Sequence, residues 1–422
     1  MVSNTMHLNG KHEFQRGWRV LLASSVGIGA GLSGLAFYTF GAFILPLEEA
    51  FGWSRGDVNK AASFLIIGTA ITAPIVGTII DKYGTRRVGL WSTFGLSAGY
   101  FALTQLNGNI FTFYAAWLIM ALIGGGTTPV VWTRAINIWF DRARGLALGL
   151  TLAGSGLTGI FGPLFCTLLI GAYGWQGGYA GVGGLIILVA LPVLIVMFKE
   201  DVPQTADLTV SSSTTSQDPN TLVGLTLNQG IRSLHFWIIA GGFFMVSGVV
   251  AGLIINVVPM LIDRGLTAVN AAQIAGTLGI AVVIGRIGIG YLIDRIRAPL
   301  VARILLGFTA LGCVLLTIEG APVWVAIISV MSMGLAAAAE VDLLAFLTSR
   351  YFGMRAYGKI YGWQITSFYV GAAIGPLLVG SAYDYFNSYV QVLFTSGALL
   401  LLGAAIVGSL GQPPDFSSES KT

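Results

Sequence analysis

A permanently charged side chain stands inside one of the apolar stretches of this sequence. Arg286, in GRIGIGYLIDR (285–295), lies about two turns before the charged end of an apolar run that begins near Val269. An arginine at the middle of a membrane helix costs about 2.5–3.5 kcal/mol unless it faces a cavity or a partner, and the guanidinium cannot lose its proton to reduce that cost. Its planar fork matches a carboxylate. Arg286 is therefore predicted to bind an anion, supplied by the protein or by a ligand.

Two carboxylates are candidates for an internal anion. Glu340 and Asp342 lie in AAAAEVDLLAF (336–346), and we expect them at the depth of Arg286 because all three precede a charged helix end by eight to ten residues. Residues two apart on a helix point about 200° apart, so at most one acid faces a central cavity. Two interpretations stay open. Either an Arg–carboxylate pair holds two helices together, or a substrate anion competes for Arg286 while Glu340 or Asp342 takes up a proton.

The elements that position these charges are predicted to be membrane helices. The chain has 422 residues, of which 55% are hydrophobic and 9% are charged, a composition typical of membrane-embedded proteins. A helix needs about 20 apolar residues to cross the hydrocarbon layer. Twelve stretches approach or exceed this length, at about 18–46, 58–80, 87–106, 111–138, 145–170, 177–198, 235–261, 270–293, 300–318, 322–347, 358–381 and 388–409.

The distribution of basic residues predicts the orientation of these helices. With the N-terminus inside, 17 of the 22 Lys and Arg residues fall in inner loops and tails, whereas Arg55, Lys60 and Arg264 fall in outer loops. This is the positive-inside pattern, so the net charge of +4 reflects topology and not nucleic-acid binding. The first apolar run is too long for a removable signal peptide. We expect a multi-pass protein of the bacterial inner membrane with both termini cytoplasmic.

The sequence repeats itself at an offset of 213 residues. The matching residues include Pro46 and Pro259, Gly52 and Gly265, Gly77 and Gly290, Asp81 and Asp294, and Pro163 and Pro376. The repeat predicts an all-α membrane protein with two pseudo-symmetric six-helix halves, 18–198 and 233–410. The polar stretch 199–232 is expected to be a cytoplasmic linker, with tails at 1–17 and 411–422. Parallel repeats of this kind are typical of transporters whose substrate site lies between the halves.

Two copies of a loop motif resemble the signature of the major facilitator superfamily. They are GTIIDKYGTRR (77–87), between predicted helices 2 and 3, and the weaker GYLIDRIR (290–297), after helix 8. The glycine permits close helix approach, and the charges can bridge helix ends as a latch between the halves. Alternatively, these charges only orient the loop. The latch residues would be Gly77, Asp81, Arg86, Arg87, Gly290, Asp294 and Arg295.

A narrower resemblance is to the monocarboxylate-porter family, which includes bacterial oxalate/formate exchangers. It rests on IWFDRARGLALGLTLAGSGLTG (138–159), FGWSRGDV (51–58) and the arginine-containing stretch of helix 8. The resemblance implies that Arg286 binds the substrate carboxylate and that Tyr38, eight residues before a helix-ending proline, lines the site. The oxalate relatives carry a basic residue in helix 11. This sequence has Gln364 at that position, which favours a monoanion over a dianion.

Four further residues complete the predicted site. Asn256, Tyr369 and Trp132 are expected to line the cavity, although each alone is more often a packing residue. Arg134 in helix 4 is either a second anion contact or a residue that snorkels to the headgroups.

The predicted function is alternating-access transport of a small organic monocarboxylate together with a proton. Exchange of organic anions and efflux of amphipathic compounds are the alternatives. No His/Cys cluster or nucleophile motif indicates an enzyme, a cofactor or a metal site. The expected partners are the organic anion, the proton and the lipid bilayer, and a monomer is expected.

Overall fold

The chain is helical along nearly all of its described length. The computed structural model describes residues 10–140, 143–199, 224–293, 295–353 and 355–414, and these residues form no β-strand. Ten helical stretches are long and apolar enough to cross a membrane. One of them, Arg144–Met197, contains two helices that meet at Gly174, whose φ of 71° is not helical. Thr85–Leu103 supplies the remaining helix, so the prediction of twelve membrane helices is confirmed.

The helices are labelled in chain order. The first half contains α1 (Glu13–Phe51), α2 (Arg55–Tyr83), α3 (Thr85–Leu103), α4 (Ile110–Trp139) and, within Arg144–Met197, α5 before Gly174 and α6 after it. The second half contains α7 (Leu234–Asp263), α8 (Ala268–Ile293), α9 (Ala298–Leu315), α10 (Val323–Phe352), α11 (Tyr357–Phe386) and α12 (Tyr389–Gly408). We call the face where α1 begins and α12 ends the terminal face. The opposite face, with the α1–α2 and α7–α8 turns, is the distal face.

The predicted linker is described only at its two edges. Residues 200–223 lie outside the described residues. The last part of the linker forms a short helix, Leu227–Arg232, which is capped at Thr226 by a reciprocal hydrogen-bond pair with Gln229. Gly224 pairs with Gly353 at the end of α10, so this edge of the linker contacts the second half.

The two halves share turns at positions that are 213 residues apart. Gly52 and Gly265, which follow α1 and α7, have φ values of 68° and 85°. Gly174 and Asn387, which separate the last two helices of each half, have φ values of 71° and 51°. Left-handed φ values are uncommon outside glycine and asparagine. The sequence repeat is therefore also a repeat of backbone conformation.

Helix α1 changes its winding beside α4. Its segment Leu32–Ala36 is a π-helix, and the Leu32 amide donates to Oγ1 of Thr127 on α4 at 3.1 Å. A Cβ at the adjacent Gly31 would lie 2.5 Å from the Thr127 carbonyl oxygen, so only glycine allows this approach. π-Helical turns often occur at functional sites, and this one ends two residues before Tyr38.

The halves touch near the distal face and separate toward the terminal face. A Cβ at Gly279 of α8 would lie 2.4 Å from backbone atoms of Gly156 and Ile160 on α5, and a Cβ at Gly380 of α11 would lie 2.8 Å from Gly56 and Asn59 on α2. Toward the terminal ends of the same four helices, a Cβ would meet no atom within 4 Å at Gly77, Gly145, Gly149, Gly288, Gly358 or Gly362. The structure is therefore closed at the distal face and open at the terminal face.

Substitution of Gly279 by alanine tests the contact between α5 and α8. The added methyl would meet backbone atoms, which cannot move aside as a side chain can. We expect a loss of about 1–3 kcal/mol of stability and a melting temperature lowered by several degrees in a thermal unfolding assay. Gly288→Ala, on the same helix but in open space, should leave the melting temperature unchanged. Equal effects of the two substitutions would contradict this packing.

Candidate functional site

Arg286 continues the face of α8 that packs against α5. Val283 lies on that face, next to Gly156 of α5, where a Cβ at Gly156 would be 2.7 Å from the Val283 side chain. Arg286 is three residues further along, so it lies on the same side of the helix, where the halves have begun to separate. Its side chain is half-buried, and its Nε atom is buried with no hydrogen-bond partner within the described ranges. The predicted cation is thus not sealed among helices.

Three predicted residues lie close enough to Arg286 to interact with its charge. They are Tyr38 on α1 and Glu340 and Asp342 on α10. The ion pairs found in the described part of the chain do not include Arg286, so no described carboxylate oxygen lies within 4.0 Å of its guanidinium. The structure therefore brings together a cation, two acids and a phenol from both halves without pairing the cation.

The two acids lie on different sides of α10. A Cβ at Gly285 of α8 would be 2.7 Å from Cβ of Ala338, and Asp342, one turn further on, shares the face turned to α8. Glu340 instead lines a small apolar cavity toward α7, α9 and α12, beside Phe243. Its Oε2 atom is buried and has no hydrogen-bond partner among the described residues. The expectation that only one acid faces the centre agrees with this geometry.

Tyrosines of α11 extend the site toward the terminal face. Tyr369 is half-buried and packs against hydrophobic clusters of both halves. Tyr361 lies near Tyr369 and Asp342, and its ring stacks on that of Tyr357 with centroids 5.6 Å apart. Sequence reasoning included Tyr369 but missed Tyr361, although the two lie eight residues apart in YGWQITSFY.

Gln364 and Trp132 do not face the opening, which corrects their assignment as cavity residues. Gln364 is fully buried, and its Nε2 donates to the Phe236 carbonyl at 3.1 Å, between α11 and α7. Trp132 is also fully buried. Its Nε1 donates to the Thr127 carbonyl at 3.1 Å, and its ring fills the space left by the missing side chain of Gly27. Both residues hold helices of one half together.

Arg55 forms an ionic contact between the halves at the distal face. Its Nη1 and Nη2 donate to the two carboxylate oxygens of Asp263 on α7, at 2.7 and 3.0 Å, while Nε donates to Glu48 of its own half at 3.0 Å. The guanidinium lies 4.0 Å from the ring centroid of Tyr383 on α11. The Arg55 side chain is only 8% exposed. In the sequence, Arg55 is recognisable only as an outer-loop charge.

A buried amide pair lies one turn deeper than Arg55 and includes Asn256. The Asn256 amide donates to Asn59 of α2 at 2.8 Å and accepts from it at 3.1 Å, and Tyr389 donates to Asn256 at 3.2 Å. Asn256 is fully buried in this contact, so its assignment as a substrate residue is corrected for this state. Together with Arg55 and Asp263, these residues form a contact that we call the distal lock.

Two residues of the first loop motif, Asp81 and Arg86, form contacts within the first half. Arg134 forms an ion pair with Asp81, which makes it a partner of the loop motif and not a second anion contact in this state. Arg86 donates to the Ile195 carbonyl of α6 at 2.7 Å, and Arg87 is exposed. In the second copy, Gly290 lies in α8 and Arg295 is exposed, while Asp294 lies outside the described residues. A latch between the halves remains a prediction.

Comparisons with known proteins agree with this architecture. The family model described as Major Facilitator Superfamily matches residues 26–376 and 290–421. The uncharacterized MFS-type transporter YcxA of Bacillus subtilis is 27% identical over 87% of each chain. Monocarboxylate transporter 13 of Bos taurus is 26% identical over 93% of this chain and 89% of its own, and monocarboxylate transporter 11 of Homo sapiens is 24% identical over 92% and 82%. With two repeated six-helix halves meeting around a central charge, this multi-pass membrane chain belongs to the Major Facilitator Superfamily of transporters.

Proposed function

We propose that the protein is a secondary active transporter of a small organic monocarboxylate, coupled to a proton and working by alternating access. The observation that carries the proposal is Arg286, a half-buried residue whose Nε has no hydrogen-bond partner in the described part of the chain, placed where the halves separate. A charge of this kind inside a membrane protein costs free energy. Binding of a transported carboxylate to the guanidinium would offset that cost. Several similar proteins are named monocarboxylate transporters. Tyr38 and Tyr369 would flank the carboxylate, in a site at the opening between the halves.

Glu340 is proposed as the proton carrier, and Asp342 is the second candidate. A buried carboxylate oxygen without a donor is unfavourable when ionised, and Glu340 Oε2 is such an atom. When the site is empty, the charge of Arg286 compensates an ionised Glu340. When a substrate anion takes Arg286, Glu340 loses that compensation and gains a proton. Anion and proton would then cross together without net charge.

Proton-driven uptake in proteoliposomes tests this scheme. An imposed pH gradient should drive accumulation of labelled lactate, used as a probe monocarboxylate, in the parent protein. Glu340→Gln mimics the protonated acid, so it should still bind and exchange lactate while losing gradient-driven accumulation. Asp342→Asn is the matched control, and an effect confined to this second variant would move the proton to Asp342. Full accumulation by both variants would contradict proton transfer through α10.

Exchange of one organic anion for another is a second candidate, and it is favoured because Arg286 forms no ion pair with a described residue. If Glu340 does not compensate Arg286 in the empty carrier, a return without substrate leaves this cation uncompensated among apolar walls, and a bound anion removes that cost. Uptake that depends on trapped internal lactate and ignores the pH gradient would support exchange. For either mode we propose a monomer in the bacterial inner membrane, with the basic terminal face toward the cytoplasm.

A further inference from the structure

We infer that Arg55 and the first turn of α2 form a second carboxylate-binding site, at the distal face, which the transported anion occupies before that face closes. The inference rests on the proposed function, since it takes the substrate to be an organic carboxylate. In the present structure the same groups are occupied by carboxylates of the protein's own second half. The site is therefore built and filled, and only its occupant changes during transport.

The geometry around Arg55 is that of a carboxylate receptor. Nη1 and Nη2 hold both oxygens of Asp263 at 2.7 and 3.0 Å, which is the bidentate arrangement that guanidinium groups form with carboxylates. Nε is used separately, by Glu48. Asp263 belongs to α7, whereas Arg55 and Glu48 both belong to the first half. When the halves separate at the distal face, Asp263 leaves with its half and the two Nη donors become available together.

The neighbouring backbone supplies a second contact to a carboxylate. The Gly56 amide donates to both oxygens of Asp384 on α11, at 3.1 and 3.0 Å. A Cβ at position 56 would collide with Oδ2 of Asp384, so the absence of a side chain is what admits the carboxylate. The amide lies in the first turn of α2, where the helix dipole also favours an anion. Asp384, like Asp263, leaves when the distal face opens.

This arrangement connects anion entry with closure. An organic carboxylate bound to Arg55 occupies the position that Asp263 needs, so the distal face can close only after the anion has moved inward. After leaving Arg55, the anion would next meet Arg286, on the central face of α8. Glu48 remains beside Arg55 throughout and limits the anion affinity there, because its charge opposes that of the incoming carboxylate. Weak, exchangeable binding of this kind suits a loading site.

Binding of acetate to the purified full-length protein tests the inference. The variant Arg286→Gln/Asp263→Asn/Asp384→Asn lacks the central cation and both competing carboxylates, and we expect isothermal titration calorimetry to detect acetate binding, with chloride as the reference anion. Adding Arg55→Gln should weaken this binding by at least about tenfold, the loss typical of a charge-assisted hydrogen bond. Adding Glu48→Gln should strengthen it instead. Acetate binding that is absent, or unchanged by Arg55→Gln, would overturn the distal site.

A second measurement uses a milder variant and separates this failure from failure of the proposed function. Arg55→Lys keeps the charge and loses the fork, and it is compared with Asp263→Asn, which weakens the same contact between the halves but leaves Arg55 intact. Relative to Asp263→Asn, the KM for entry from the distal face should be severalfold higher in Arg55→Lys. Equal distal KM values in the two variants would show that Arg55 acts only on the conformational equilibrium and would count against the site. If the parent protein bound no carboxylate through Arg286, the proposed function itself would fail, whatever happened at Arg55.

Discussion

Replacing Arg286 with glutamine is expected to weaken the binding of small monocarboxylates by about 10- to 150-fold. A hydrogen bond to a charged group contributes about 1.5–3 kcal/mol, and every 1.4 kcal/mol changes the affinity about tenfold. Stabilisation by a ligand depends on its concentration relative to its Kd. Carboxylates that raise the melting temperature of the parent protein should therefore raise that of Arg286→Gln little or not at all. Arg286→Lys should lie between the two, because ammonium lacks the planar fork.

The same experiment separates the functional role of Arg286 from a structural one. If Arg286 mainly held α8 to α10 through a carboxylate, its removal would leave a buried acid unpaired and lower the melting temperature without ligand. If it serves a substrate, the ligand-free melting temperature should stay the same or rise, since a costly charge is gone. Arg350→Gln removes an exposed arginine of α10 and should alter neither quantity. Equal ligand stabilisation of parent and Arg286→Gln would refute the anion site.

The grouping of Arg286 with Glu340 and Asp342 could be predicted because charged residues are costly in a membrane. Arg286, Glu340 and Asp342 stand out against apolar neighbours. An apolar residue would fill the same space at a lower free-energy cost, so packing alone does not explain these charges. Helix depth, read from the charged ends of each span, then placed all three together. Which of the two acids faces α8 could not be predicted, because periodicity does not give the rotation of α10 about its axis. The contact between Gly285 and Ala338 in the structure shows that it is Asp342.

Other parts of the structure could not be predicted from the sequence, for two physical reasons. In a helix that is apolar on all sides, hydrophobic periodicity does not distinguish a cavity face from a contact face. The sequence therefore does not show that Gln364 and Trp132 face neighbouring helices and not the cavity. The distal lock joins residues 208 positions apart, and a charge beside a turn is usually interpreted as an orientation signal. Arg55 becomes recognisable only through its burial and its bidentate partner.

Removal of the Asp263 charge is expected to shift the protein toward the state that is open at the distal face. Asp263→Asn keeps the shape of the side chain but deprives the buried Arg55 of its charged, bidentate partner. Breaking a buried ion pair costs about 3–5 kcal/mol. Because the Asp263 side chain is 30% exposed, we expect a smaller destabilisation of the closed state, about 2–3 kcal/mol. This change alters the ratio of open to closed molecules by about 30- to 150-fold. The amide pair of Asn59 and Asn256 continues to oppose opening.

The reaction of an introduced cysteine measures this shift. Ile255 of α7 is 1% exposed, and its carbonyl packs against Gly41 of α1, so Ile255→Cys becomes accessible only when the distal face opens. Cys166 and Cys313, both buried, are first replaced by alanine. A membrane-impermeant maleimide added at the distal face should then react faster with the Asp263→Asn variant, in proportion to the open population.

A matched ion pair on the same face supplies the control for the distal lock. Lys60 and Asp57 contact each other at 2.8 Å within α2 alone, so Lys60→Gln removes a distal charge without touching the boundary between the halves. It should leave the reaction rate unchanged. The double variant Arg55→Gln/Asp263→Asn should open less than the sum of its two single changes, because both remove one shared contact. Additive effects, or a rate in Asp263→Asn equal to that in Lys60→Gln, would show that the halves are held by apolar packing and not by Arg55.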